Sequence, residues 1–481
     1  MSDSRARPNL VVLLSDQLRA SALPLYGESQ IDTPCIDRLA SEGASFTNAI
    51  STCPVCTPYR AMMLTGRYPQ TTGVFVNFTS TRHDEIGIGD AFSAAGYRTG
   101  WVGKWHLHRG AFPSKSEDWI PEGRSRLGFQ YWRAYNCHTD YFDGCVNDKD
   151  WNCRHWNGYE TDGLMEYVTE FLDSVDDEPF CLFVSPHQPH YSPTKMAPDR
   201  LLAKVPQELE LPPNVAPDDH SFCSREYRTY LAMTLAIDEM VGAIDKELAR
   251  RGLTEDTIFA FTSDHGSQFG SNVSHMPMKA TADENIAWMK RLPYEASIKV
   301  PLVLRWPGVF SPESVIDELV SPVDLFPTFC SLCGVPVPRT VEGSDLAAGW
   351  RGEAPLRDQE ALLLMNFNHP LYSPDWLTSG YEWRGVRTRD YTLARWIDGY
   401  RELYSLADDP FELYNLYDDP AMESTKRALE ATLDSLMKTR NDGLAPCEDY
   451  RPWIDTERRI VRNAWGPLPH PETMPDWSLL R

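Results

Sequence analysis

Leu10-Val11-Val12-Leu13-Leu14 runs without a break into Ser15-Asp16-Gln17. An unbroken apolar run ending in a carboxylate and an amide describes a strand buried on both faces, with polar groups at its carboxyl end. Three other runs repeat the pattern. Trp101-Val102 leads into Gly103-Lys104-Trp105-His106, and 180–184 into Pro186-His187-Gln188-Pro189-His190. The run 257–261 leads into Asp264-His265-Gly266, and 300–304 is a further apolar run. Helical stretches alternate with these strands at 36–41, 89–95, 164–175 and 227–250. The last carries Tyr230, Met233, Ile237, Met240, Val241, Ile244 and Leu248 at steps of three and four. This alternation predicts an α/β fold with a large, mostly parallel central sheet flanked by helices. In such sheets ligands bind beyond the carboxyl ends of the strands, so the four polar ends are expected to meet in one site.

The chain has 481 residues, enough for a large domain with a second, smaller one. Pro and Gly thicken over 333–352, suggesting a catalytic body over 1–355. A smaller α+β domain is expected over 356–445, with antiparallel strands at 391–396 and 402–406 and a helix over 424–439. The tail, 446–481, is rich in Pro, Trp and Arg, and either wraps the body or reaches a neighbouring subunit in a homo-oligomer. Lys and Arg total 46 against 69 Asp and Glu, a formal charge of −23. A field of that sign disfavours nucleic acid and anionic membranes, so an anionic substrate needs a local cationic pocket. No apolar run has membrane-spanning length. The first apolar run is too short for a secretory signal, which points to the cytoplasm unless a longer precursor was trimmed.

Eleven cysteines are scattered along the chain, and most are expected to be reduced and buried. Cys53/Cys56 and Cys330/Cys333 admit a four-thiolate zinc site. Cys330 and Cys333 also fit a helix ended by Gly334, where both are simply small core residues.

Asp16, Asp264 and His265 form the candidate metal set, two carboxylates and an imidazole suited to Ca²⁺, Mg²⁺ or Mn²⁺. Gln17 offers a neutral oxygen beside them. Lys104 and His106 lie two residues apart and project to one side of an extended chain, a pairing fit to hold an oxyanion and move a proton. Cys56-Thr57-Pro58-Tyr59-Arg60, before Leu64-Thr65-Gly66, places a thiol beside a turn-fixing proline and a permanent cation.

That run resembles the first signature of the sulfatase family, with Tyr59 in place of its usual small residue. Gly96-Tyr97-Arg98-Thr99 followed by Gly103-Lys104-Trp105-His106 is similar to its second signature. The resemblance extends from Asp16 to roughly Leu416. It implies hydrolysis of sulfate monoesters, aryl or carbohydrate, through a formylglycine made from Cys56 by a formylglycine-generating or anaerobic sulfatase-maturing enzyme. The hydrated aldehyde, Cys56 as modified, joins Asp16, Asp264 and His265 on one divalent ion, most often Ca²⁺, and attacks sulfur in line. Arg60, Lys104 and Lys290 then spread the developing charge, and His187 or Lys290 protonates the leaving oxygen. His106 deprotonates the second hydroxyl, which expels sulfate and restores the aldehyde. His190 is the alternative to His187, and Lys279 to Lys290; His275 and Asn77 are further candidates. Gln17 stands where many sulfatases carry a second aspartate. That difference keeps phosphonate monoester or phosphodiester hydrolysis open on the same scaffold. The segment 135–159, rich in aromatic and polar side chains, reads as a sugar-binding loop or a surface insertion.

Overall fold

A computed structural model describes residues 7–110, 119–192, 195–216, 220–272, 290–367 and 381–480. Ten strands form the central sheet: β1 (Asn9–Ser15), β2 (Ala44–Ala49), β3 (Arg98–Lys104), β4 (Tyr131–Tyr135), β5 (Cys145–Asn147), β6 (Cys153–His155), β7 (Phe180–Ser185), β8 (Thr257–Ser263), β9 (Leu302–Arg305) and β10 (Ser314–Val320). Their order is β10-β2-β9-β8-β1-β7-β3-β4-β5-β6. The middle, β8-β1-β7-β3-β4, is parallel throughout, as the sequence predicts. β9 runs antiparallel to both β8 and β2, and the β5–β6 hairpin closes the far edge.

β1 explains why an unbroken apolar run makes a strand here. Val11 and Leu13 enter the core on one face, beside the long helix His220–Arg250. Leu10, Val12 and Leu14 enter the core on the other, with residues of the helices Cys56–Thr65, Ile88–Ala94 and Pro322–Leu332. A strand covered on both faces has no solvent side on which to alternate.

The C-terminal region adds an antiparallel sheet of β11 (Leu362–Asn366), β12 (Trp383–Arg387), β13 (Tyr391–Trp396) and β14 (Arg401–Ser405). The helix Glu423–Thr439 lays Leu429, Leu433 and Met437, spaced by four, into a cluster with Leu363, Val386, Leu393 and Leu403. Trp383, Trp396 and Tyr404 pack with Tyr294 and Ile298 of the body. The tail runs back along the body, where Arg82 donates to the Ile460 carbonyl and Ala464 N–H to that of Gln70.

Apart from Cys145 and Cys153, eight of the nine other cysteines are buried. Cys145 and Cys153 depart from the expectation of reduced thiols and form a disulfide. They lie eight residues apart, and only the pairing of β5 with β6 brings them together. Cys330 and Cys333 are buried in the core around the helix Pro322–Leu332, and burial pushes both thiols up. They join no cluster of metal-ligating side chains among the described residues. No helix among those residues is long and apolar enough to cross a membrane.

Candidate active site

The carboxyl ends of β1, β3, β7 and β8 meet the amino end of the helix Cys56–Thr65. That helix ends in Gly66, whose left-handed φ of 66° suits glycine. At its start the Asn77 carboxamide oxygen accepts from Thr57 N–H at 3.0 Å, occupying one of the orphan donors of the first turn. Asn77 therefore fixes the chain beside Cys56. Position 56 also sits at the positive end of the helix dipole.

Cys56 is 1% exposed. Its Sγ lies 3.2 Å from His265 Nε2, 3.4 Å from Lys290 Nζ and 4.0 Å from Asp16 Oδ1. Ligand atoms of Asp16, Cys56, Asp264 and His265 all fall within 4.8 Å of one another, and all four residues are buried. His265 Nδ1 is turned to the Gly266 carbonyl at 3.0 Å, which leaves Nε2 facing the cluster. The Asp264 backbone is held by Ser51 Oγ donating to its carbonyl at 2.6 Å.

Arg60 is spread across both acids. Its Nε donates to Asp264 Oδ2 and its Nη2 to Asp16 Oδ2, each at 3.2 Å. Its Nη1 donates to the Lys104 carbonyl at 3.0 Å and to Ser185 Oγ at 2.9 Å. Lys104 Nζ reaches Asp16 Oδ2 at 2.5 Å and His187 Nε2 at 2.9 Å. Lys290 Nζ reaches Gln17 Oε1 at 3.1 Å and His190 Nε2 at 2.9 Å. Three cations thus converge on two carboxylates, a surplus suited to an anion.

Electrostatics follow from that crowding. Burial pushes the Asp16 carboxyl up, but Lys104, His190, His187 and Lys290 together hold it well below the usual range. Asp264 is pushed up to about 6, by burial and by the charge of Asp16. Burial lowers His265 to about 4, and burial with nearby cations holds His106, His187 and His190 low as well. The imidazoles are therefore neutral at pH 7, able to accept protons or coordinate a metal.

Gln17 and His106 both adopt left-handed backbone, with φ of 67° and 56°. Strain of this kind costs on the order of 1–3 kcal/mol per residue and gathers at functional sites. The His106 carbonyl accepts from Thr57 Oγ1 at 2.7 Å, next to Cys56. Both ring nitrogens of His106 are buried with no hydrogen-bond partner among the described residues. His275 and Lys279 lie outside the described residues, so the comparison of Lys279 with Lys290 rests on Lys290 alone, which touches Cys56.

Sequence reasoning missed the supports. Ser185 receives Arg60 and directly precedes Pro186-His187, a position that its neighbours point to. Glu160 accepts from the Tyr135 hydroxyl, from His187 N–H and from Gln188 Nε2, bracing the turn that carries His187. The His138 carbonyl faces His187 Nδ1. The Glu160 and His138 contacts cross 25 to 49 residues of sequence, and no local pattern announces them.

Residues 8–335 match the sulfatase family model, and 284–439 match the C-terminal model of N-sulphoglucosamine sulphohydrolase. The chain belongs to the sulfatase family. An ulvan-active sulfatase of Formosa agariphila is 33% identical over 450 residues, covering 92% of this chain and 83% of that protein. An endo-4-O-sulfatase of Bacteroides thetaiotaomicron is 29% identical, covering 86% of this chain and 88% of its own. A solved Bacteroides thetaiotaomicron structure, described in a study of the metabolism of multiple glycosaminoglycans, superposes with a TM-score of 0.78 at 26% identity. It covers 93% of this chain and 100% of its own. This sulfatase is accordingly a sulfuric ester hydrolase.

Proposed function

We propose that this sulfatase removes sulfate from an anionic glycan, using a formylglycine derived from Cys56 and one divalent cation. The observation that carries the reading is the position of Cys56, within 4.0 Å of Asp16, His265 and Lys290 at a buried helix start. Two buried carboxylates, an imidazole and the Gln17 amide make a hard, mostly oxygen donor set, which fits Ca²⁺ or Mg²⁺. When bound, the ion and the hydrated aldehyde supply an acidified hydroxyl as nucleophile.

The chain's own residues do the rest. Arg60 is fixed by four acceptors and holds Asp16 and Asp264 in place. Lys104 and Lys290 stand on two sides of the cluster and neutralise the sulfate oxygens as charge builds on them. His187 and His190 each accept from a lysine, so a proton held between lysine and imidazole is available to the leaving oxygen. His106, neutral and with neither ring nitrogen hydrogen-bonded among the described residues, suits the role of base for the second hydroxyl. Expelling the product in this way returns the site to its starting state.

The test is a peptide mass of Cys56 in protein co-produced with a formylglycine-generating enzyme, read against turnover of an aryl sulfate. Activity should track the converted fraction and fall at least a hundredfold on chelation, returning with Ca²⁺ or Mg²⁺. Equal activity in protein carrying an unmodified Cys56 thiol sinks the reading. An aryl phosphonate monoester assayed alongside measures the preference for sulfur over phosphorus. The Cys145–Cys153 disulfide favours an oxidising compartment. Its redox state in protein taken from source cells decides between that and the cytoplasm.

A further inference from the structure

A second group of metal-ligating side chains stands at the far edge of the central sheet. Cys145, Cys153 and His155 place their ligand atoms within 4.8 Å of one another. β5 and β6, which carry them, form the outer hairpin, and β7, β3 and β4 lie between that hairpin and β1. None of the three takes part in the site around Cys56.

The register of the hairpin explains the grouping. Cys145 is paired directly with His155 and Asn147 with Cys153, so all four side chains share one face. His155 Nδ1 is turned to the Asp143 carbonyl at 3.3 Å, and its Nε2 lies 3.8 Å from Cys153 Sγ. One ring nitrogen on a carbonyl and the other aimed at sulfur is the usual posture of a metal-ligating imidazole. Thiolate and imidazole atoms around a tetrahedral Zn²⁺ stand roughly 3.5 Å apart, given bonds of about 2.3 and 2.0 Å. The turn is built without help from the sulfurs. Asp148 accepts from Asp150 N–H, Asn152 N–H, Asn152 Nδ2 and Arg154 Nε. Backbone pairing and this turn therefore keep the three ligands together whether or not the sulfurs are bonded.

We propose that this hairpin carries a redox-gated zinc site: the Cys145–Cys153 disulfide, once reduced, gives two thiolates that bind one Zn²⁺ together with His155. In the oxidised chain the two sulfurs are bonded to each other. Cys145 is buried, but β6 is exposed along its length, so a thiol or phosphine reductant reaches the bond from the Cys153 side. The reductant supplies two electrons, and two protons complete the thiols. Zn²⁺ then displaces both protons, leaving a neutral centre of one dication and two thiolates, with water in the fourth position. The hairpin is stapled in either state, by a covalent bond under oxidising conditions and by the metal under reducing ones. Two thiolates and an imidazole are a soft set that prefers Zn²⁺, whereas the oxygen-rich set around Asp16 and Asp264 suits Ca²⁺ or Mg²⁺. One chain thus sorts two metals by the hardness of its ligands.

The experiment uses full-length Cys56→Ala protein in excess Ca²⁺, so that the catalytic thiol is gone and any thiolate-to-metal band arises elsewhere. Co²⁺, a spectroscopic stand-in for Zn²⁺, is titrated before and after reduction with a phosphine, and Zn²⁺ is then added in competition. Reduction should expose two further titratable thiols. The reduced protein should develop a near-ultraviolet thiolate-to-Co²⁺ band that Zn²⁺ abolishes, and the oxidised protein should show none. In the same background His155→Ala should weaken Co²⁺ binding at least tenfold and Cys153→Ser at least a hundredfold. Both changes lie on the exposed strand and leave the core intact. A band of equal strength before reduction overturns the proposal, as does one that survives Cys153→Ser or keeps its affinity in His155→Ala. Two new thiols without a band also overturn it, and a disulfide that resists the reductant in folded protein overturns the gating. The readout is metal binding alone, so the outcome is independent of turnover.

Discussion

Two regions of this molecule bury charge to the same depth and use it in opposite ways. Around Cys56, Arg60, Lys104 and Lys290 crowd two carboxylates, and the surplus is positive. At the junction of the two sheets, Glu402 and Glu412 are buried and Glu295 is half-buried with Arg387 nearby, and the surplus is acidic. Tyr294 donates to Glu402 Oε1 at 2.7 Å and Trp396 to Oε2 at 3.2 Å, so that carboxyl is satisfied by neutral donors. Burial pushes Glu402 up to about 7, and Glu412 also lies well above its usual value. At the junction burial favours the neutral form of Glu402 and Glu412, while Arg387 holds Glu295 low. The active site keeps its charge and leaves room for an anion. Burial alone marks neither function nor structure; the sign of what is left over does.

Four changes press on that contrast. Cys56→Ala should lower aryl sulfate turnover by on the order of 10⁴-fold or more while leaving the thermal midpoint nearly unchanged, since only a small side chain is lost. Wild-type-like turnover in that variant would falsify the nucleophile assignment. Lys104→Met should cost roughly 10³-fold in kcat/KM and about 3 kcal/mol of stability, because Asp16 keeps a buried charge with one partner fewer. Denaturant unfolding together with steady-state kinetics checks both, and a variant that loses neither shows the surplus positive charge to be idle.

Glu402→Gln tests the junction through pH. The folded pKa of Glu402, about 7, lies above its unfolded value, so the fold is favoured while the carboxyl is protonated. Its contribution is complete below about pH 4.5 and disappears as pH rises through 7, a change of about 3 kcal/mol. Glutamine cannot ionise, so the difference in stability between wild type and Glu402→Gln should slope over that window and flatten above it. A difference independent of pH would show that Glu402 is ionised in the fold. The smallest effect is expected from Cys153→Ser, which opens the disulfide of the edge hairpin. It should cost less than about 3 kcal/mol, the loop closed being short, and leave aryl sulfate turnover within about threefold.

Much of this was legible in the sequence, for identifiable reasons. β1, β7 and β8 are buried on both faces, so each reads as a continuous apolar run whose end is marked by the next polar residue. Asp16, His187 and Asp264-His265 follow directly from that reading, because a parallel sheet gathers such ends. β10, the edge strand, was hidden by Asp317 and Glu318, since an edge strand needs fewer apolar residues, and its neighbour β2, Ala44–Ala49, by Ser45, Thr47 and Asn48. The antiparallel sense of β9 leaves no local mark at all. Neither does the bracing of His187 by Glu160, which reads as one more acid on the polar side of a helix until Tyr135 and Gln188 close around it.

The reversed direction of β9 has a further consequence. Because it runs against β8, the connection between them begins and ends on the catalytic side of the sheet. Lys290, Tyr294 and Lys299 are all carried on that one excursion. Lengthening or shortening it redecorates the doorway while the foundations stay untouched, which gives this scaffold a place to exchange one clientele for another without rebuilding its engine.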